Sequence, residues 1–360
     1  MLLGLLLVLV VAGWLAFRLP PFGGRFEGAR LARMQSSPQW HGGRFENSPP
    51  QDRRYHLWRT WQLYRQGQRR EPGFEVPVIP IDARRLQAPP EPGLRASWLG
   101  HATVLLEIDG LRVLTDPVLS DHASPFPVGV KRLHASPLPL AALAGIDAVV
   151  VSHDHYDHLD MPTVRQVAGQ DTHFYVGLGI GAHLERWGVR ADHIHEMDWW
   201  ESQSLKGVTI HCTPARHYSG RRAMDNSTLW SSWRLQGPRH SAYYSGDTGY
   251  APHLAAIRER LGDVDLAMMK VGAYGETWLD IHMDPESAVK SHVDLGGRVL
   301  LPVHWATFNL SYHDWEEPIL RTLAAAQPAG VDVITPRPGE TYEYGRPFAN
   351  TAWYAATPRR

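Results

Sequence analysis

Residues 152–160 read SHDHYDHLD, with three histidines and three aspartates in nine positions, directly after the apolar run DAVVV. Neutral imidazole and carboxylate gain little from each other as ion pairs, but both donate lone pairs to a divalent cation. In His153-x-His155 the two side chains share one side of an extended segment and can grip one ion. Asp157 and His158 follow after the backbone turns and face a neighbouring position. Further candidates are the first polar ligand-type residues after other strand-like runs: His217 after VTIHCTPAR, Asp247 after AYYSG and His304 after VLLPV. Loops at strand ends carry chemistry on a rigid scaffold, so four such ends form a constellation. The donor set suits zinc, with manganese or iron(II) as alternatives, and its lack of thiolates argues against a purely structural zinc site.

Such residues need strands to hold them at a common edge. The stretch ASWLGHATVLLEIDGLRVLTDPVL reads as two strands joined at Asp109-Gly110, a pair that favours a tight hairpin turn. IDAVVVSH is a continuous apolar strand, and MPTVRQVAG after it is a helix with Pro at its start and Gly near its end. Strands at THFYVGLG, VTIHCTPARH, STLWSSWRL, SAYYSGD, DLAMMKVGAY and RVLLPVHW alternate with helices at AHLERWG, PHLAAIRERLG and DPESAVKSHVDLG. Runs of strands with interleaved helices favour two stacked sheets with helices outside over a simple parallel sheet.

At 360 residues, 43% hydrophobic and 20% charged, the chain has the profile of a folded globular protein. A net charge of −1 gives no general pull toward nucleic acid. The single cysteine, Cys212, excludes an internal disulfide framework and reads as a buried thiol in a strand. Leu2–Phe17 is uncharged and apolar, about 24 Å as a helix against a bilayer core of about 30 Å. No basic residue precedes it, while Arg18, Arg25, Arg30 and Arg33 follow, which predicts a retained anchor with the bulk of the chain on the cytoplasmic side. Residues 1–22 are therefore expected to anchor the chain to a bacterial inner membrane. Residues 23–92, rich in Pro, Arg and Trp, are read as an extension packed on the main domain, with one helix at YHLWRTWQLYRQ. Residues 93–345 form the catalytic domain in this reading, and 346–360 a C-terminal tail.

The pattern His153-x-His155-x-Asp157-His158, then His217, Asp247 and His304, resembles the dinuclear site of the metallo-β-lactamase-fold hydrolases. Within them, WLGHATVLLEIDG, LTDPVLS, SHDHYDHLD, MDWWE, GDTGY, GAY, DPESAV and HWATF are similar to the N-acyl-phosphatidylethanolamine-hydrolysing phospholipase D and its bacterial relatives. The resemblance implies an α/β fold, a four-layer αββα sandwich. It also implies two zinc ions, one held by His153, His155 and His217 and the other by Asp157, His158 and His304, with Asp247 bridging them. A hydroxide held between the ions would attack the phosphorus of a phospholipid, leaving phosphatidic acid and an N-acylethanolamine. Substrate and membrane are the implied partners. A lactonase or other acyl hydrolase on the same metals is the alternative, and a non-catalytic metal-binding envelope protein a third.

Around the ligands, Asp157 and Asp247 act in catalysis through the ions, and His282 in LDIHMDPESAV is placed to orient a phosphate oxygen or protonate the leaving alcohol. Tyr156 is read as either a substrate hydrogen-bonder or a packing residue, and His101 as a structural hydrogen-bonder. Met161-Pro162 departs from the animal lipases, which carry an aromatic residue and no proline there.

Overall fold

The computed structural model describes residues 13, 15–50, 57–65, 69–222 and 224–355. Two seven-stranded sheets carry the fold. The first contains β1 (Leu94–Gly100), β2 (Thr103–Ile108), β3 (Leu111–Thr115), β4 (Ala148–Val151), β5 (His173–Gly177), β6 (Ile194–Met197) and β14 (Thr341–Glu343), in the order β14-β1-β2-β3-β4-β5-β6. The second contains β7 (Ser202–Leu205), β8 (Val208–Thr213), β9 (Ser232–Gln236), β10 (Ser241–Tyr244), β11 (Val264–Lys270), β12 (Gly297–Val303) and β13 (Asp332–Val333), in the order β13-β12-β11-β10-β9-β8-β7.

Each sheet is antiparallel in one half and parallel in the other. The parallel pairs run from β3 to β6 and from β10 to β13. Parallel neighbours need a crossover, and helices supply most of them. Helices α1 (Gly28–Gln35) and α2 (Leu57–Tyr64) lie in the N-terminal stretch; α3 (Met161–Ala168) and α4 (Gly181–Arg186) connect β4, β5 and β6. In the second sheet α5 (His253–Leu261), α6 (Pro285–Leu295) and α7 (Glu317–Ala329) serve the same purpose. Parallel strands point the same way, so the loops after β4, β10 and β12 can deliver side chains to one edge.

Val104, Leu106 and Val150 of the first sheet share a core with Ile210, Trp233, Met268 and Leu301 of the second. On the other face of the first sheet, Leu105, Val149, Val151 and Phe174 pack with Val164 and Val167 of α3 and Leu184 of α4. Strands buried on both faces read as unbroken apolar runs, which is why DAVVV carries no alternation. The layers are helix, sheet, sheet, helix.

The Asp109-Gly110 turn joins β2 and β3 with both residues at positive φ, 46° and 92°, as a tight two-residue hairpin turn requires. The expected strand ahead of it is instead two, broken at Gly100 and His101 with φ of 104° and 51°. A Cβ on Gly100 would meet Arg132 and His134 at 2.8 Å, so only glycine fits this break. Part of the C-terminal segment expected at 346–360 is built into the core. Trp353 and Tyr354 are buried, and Trp353 stacks on Trp305 at 5.1 Å and donates its indole N–H to the Thr335 carbonyl. Two large aromatic rings at 353–354 gain more by joining the core than by staying wet. The expected N-terminal anchor lies largely outside the described residues; among those described, no helix is long and apolar enough to cross a membrane.

Residues 20–50 cross the loops of the catalytic edge. Asn47 bonds both backbone groups of His217, donating to its carbonyl at 2.7 Å and accepting from its N–H at 3.2 Å. Arg221 donates to the carbonyls of Pro21, Asp154 and Leu159. Arg30 and Arg33, two of the arginines behind the orientation argument, pair with Glu185, Glu196 and Glu201 of the main body. Their charge serves the fold.

Candidate metal centre

The loop 152–160 leaves β4 and ends at the α3 N-cap, where the Asp160 carboxylate accepts from the Thr163 N–H at 3.1 Å and from Ser120 Oγ at 2.7 Å. This cap and Pro162 in the first turn fix where the loop must stop, which bunches the ligand-type residues into a short arc. His217 follows β8, Asp247 follows β10, and His304 follows β12 at a φ of 65°.

These residues converge in two groups. In the first, the Nδ1 of His155 lies 2.8 Å from His153 Nε2 and 3.4 Å from His217 Nε2. In the second, His158 Nε2 lies 3.1 Å from His304 Nε2 and 3.3 Å from Asp157 Oδ2, with His304 3.4 Å from the same oxygen. Asp247 stands between them: 3.9 Å from His217, 3.4 Å from His158 and 3.2 Å from His304. All seven sequence-derived ligand residues are thus brought together, and the Asp247 carboxylate lies within 4 Å of histidines from both groups.

Hydrogen bonds from the second ring nitrogen orient His217 and His158. His217 donates Nδ1–H to the Ile281 carbonyl at 3.1 Å, which leaves its Nε2 lone pair facing the group. His158 donates Nδ1–H at 2.5 Å to Asp116, a fully buried carboxylate that also accepts from Ser152 N–H at 2.6 Å and from the Tyr244 hydroxyl. Burial pushes His217 down to about 3 and His153 well below its usual value, so both are neutral. Burial opposes protonation of His158 too, but Asp247, Asp157 and Asp116 outweigh it and raise its pKa well above normal.

A cation fits this donor set. Among the described residues, the ion-pair partners of Asp157 and Asp247 are histidines. Asp247 Oδ1 is buried with no hydrogen bond, as is His304 Nδ1. Buried carboxylates without a compensating cation are costly, and zinc-type ions between the two groups would relieve that cost.

The residues with less settled readings are also close. His282 Nε2 is 3.6 Å from Asp247 Oδ2, and its Nδ1 is buried without a partner. His101 hydrogen-bonds Asp157 Oδ2 at 3.0 Å, as expected of a structural hydrogen-bonder, and lies within ligand distance of the second group. Tyr156 spends its hydroxyl on the Arg221 carbonyl at 2.8 Å, under a guanidinium 4.1 Å from its ring. Its role is to pack the loop. Asp116, Asn47 and Arg221 received no role from sequence. Asp116 lies in the block LTDPVLS, but nothing local shows that its partner is 42 positions away.

The family model described as "Beta-lactamase superfamily domain" matches residues 111–305, more than half of the chain. The chain belongs to this superfamily, as a metallo-β-lactamase-fold hydrolase. More narrowly, it is related to the N-acyl-phosphatidylethanolamine-hydrolysing phospholipases D. It is 39% identical to phospholipase D 1 of that kind from Caenorhabditis elegans over 234 residues, 61% of this chain and 65% of that protein. An uncharacterised protein of Mycobacterium tuberculosis is 46% identical over 333 residues, covering 90% of this chain and 89% of the relative. A metallo hydrolase of the archaeon Ignicoccus hospitalis shares the fold, with a TM-score of 0.55 at 22% identity over 70% of this chain and 99% of that one.

Proposed function

We propose that the chain is a dinuclear, zinc-dependent phosphodiesterase of the phospholipase D type, acting on N-acyl phosphatidylethanolamine or a related phospholipid. The observation that carries it is the position of Asp247, within 4 Å of histidines from both ligand groups. The similarity to the Caenorhabditis elegans phospholipase supports the substrate class.

His153, His155 and His217 would hold one ion, Asp157, His158 and His304 the other, and Asp247 both. When bound, such a pair supplies Lewis acidity and lowers the pKa of water toward neutrality. The chain's own residues do the rest. Asp116 keeps the His158 ring in one tautomer, and the Ile281 carbonyl does so for His217. Asn47 holds the backbone of His217 in place. The Nε2 of His282, beside Asp247, is positioned to hydrogen-bond an oxygen of the phosphodiester or of the departing alcohol. No serine nucleophile is needed, because solvent water is the attacking species.

Hydrolysis of N-acyl phosphatidylethanolamine in oxygen-18 water tests both the substrate and the bond broken. The label is expected in the phosphatidic acid, because the phosphorus is the electrophile nearest the ligand groups. Label in the N-acylethanolamine would exclude attack at phosphorus. Inertness toward phospholipids, with ready opening of lactones, would establish the acyl hydrolase instead.

A further inference from the structure

We propose a third metal site, remote from the catalytic edge, in which Asp171, His173 and His193 hold one borderline divalent cation such as zinc. A ligand atom from each of the three lies within 4.8 Å of the others. The site sits at the opposite end of the first sheet. In the parallel register of β4 and β5, His173 pairs with Ala148. His153 lies five residues beyond Ala148, or about 16 Å at about 3.3 Å per residue.

Two features distinguish this cluster from ordinary surface histidines. His193 is buried and its Nδ1 lies 3.2 Å from the Thr172 carbonyl. A carbonyl only accepts, so Nδ1 carries a proton, and Nε2, 3.6 Å from Asp171 Oδ1, is the nitrogen left to face a cation. The ring of His173 stacks on that of His193 at 4.7 Å and on His195 at 5.2 Å, and its Nδ1 is 2.9 Å from His195 Nε2. His195 in turn stacks on Tyr175 at 4.7 Å, which holds the row in place.

The consequence is mechanical. β6 is the last strand of its sheet and only four residues long. An ion shared by Asp171 and His173, at the start of β5, and His193, just before β6, ties that edge to its neighbour. Nitrogen and carboxylate donors with an exposed fourth position suit zinc, and nickel or copper(II) would compete.

The test is stoichiometry. Metal-free full-length protein titrated with zinc, freed of excess by gel filtration and measured by elemental analysis, should retain three equivalents. His173→Ala should retain two, with phosphodiesterase activity unchanged. Asp171→Asn, at an exposed position, should weaken the third equivalent at least tenfold without disturbing the fold. A His153→Ala/His304→Ala protein should still hold one equivalent that adding His173→Ala removes, so this result is read independently of the catalytic centre. Equal zinc content in wild type and His173→Ala would overturn the site, as would an unchanged zinc-induced rise in melting temperature.

Discussion

Asp247 stands between the two ligand groups, within 4 Å of His217, His158 and His304. Burial works against its charge, but His304, His158 and His282 outweigh that effect and hold its carboxyl well below the usual range. Asp247→Asn keeps the shape and removes the charge, so it should loosen both ions at once. We expect metal content to fall well below two equivalents and kcat/KM to fall by more than about 100-fold. Full metal content in this variant would show that Asp247 does not bridge. Asp116 acts one step further out, through the Nδ1–H of His158. Asp116→Asn should weaken metal binding by about 10–100-fold, by the measure of other outer partners of metal-bound histidine. Competition with a calibrated chelator measures this, and an unchanged affinity would assign Asp116 to the fold alone, through its bonds to Ser152 and Tyr244.

At the scale of elements, the N-terminal stretch is built into the catalytic edge. Asn47 satisfies both main-chain groups of His217, whose residue is fully buried. Removing a buried partner costs the desolvation of the groups left behind, about 1–3 kcal/mol each. Asn47→Ala should therefore lower the melting temperature and weaken the ion held by His153, His155 and His217 more than the other. Equal weakening of both ions would place the effect in global stability. This coupling shows what sequence could and could not reveal. SHDHYDHLD and the strand ends at His217, Asp247 and His304 were legible because ligand chemistry is written in residue type and local spacing. The apolar strands were legible because burial on both faces leaves an unbroken run. Asn47 was not, since its partner is a backbone group 170 positions away, which leaves no mark on composition. The strands β6 and β7, IHEM and SQSL, were missed for a related reason: mostly exposed or half-buried, they carry no apolar signal. The packing of Trp353 and Tyr354 into the core left no such signal, because two aromatic residues near 353–354 do not announce which surface they cover.

For the whole molecule, a lipid substrate requires contact with an interface, and the outer surface offers one. On α2, Trp58 is 68% exposed, Trp61 47% and Tyr64 55%, and the two indoles stack at 4.8 Å. Exposed rings of this size are costly in water, and amphipathic ones settle at the headgroup level of a bilayer. Arg65 lies 5.0 Å over the Trp61 ring, so a cationic group accompanies the aromatic face, while Arg59 of the same helix pairs with Glu276 at 2.9 Å. On the inner side of α2, Leu63 helps line a cavity of about 380 Å³ with Tyr274 and Leu279, in the segment that leads to His282, and with Tyr312, Glu317 and Arg321 beyond it. An interface-bound α2 would therefore present the lipid next to the segment that carries His282. Trp58→Ala/Trp61→Ala should reduce sedimentation with anionic phospholipid vesicles several-fold and lower hydrolysis of vesicle lipid in proportion. Hydrolysis of a short-chain, monomeric analogue should be unchanged, because such a substrate reaches the site without a membrane surface. Deleting residues 1–16 in the same protein separates the two sources of attachment, since it spares the Arg18 and Pro20 carbonyls that accept from Arg186 and Trp187 of the main body. If the deletion abolishes vesicle binding and the tryptophan pair does not, attachment belongs to the apolar N-terminus, and the aromatic face of α2 has another use.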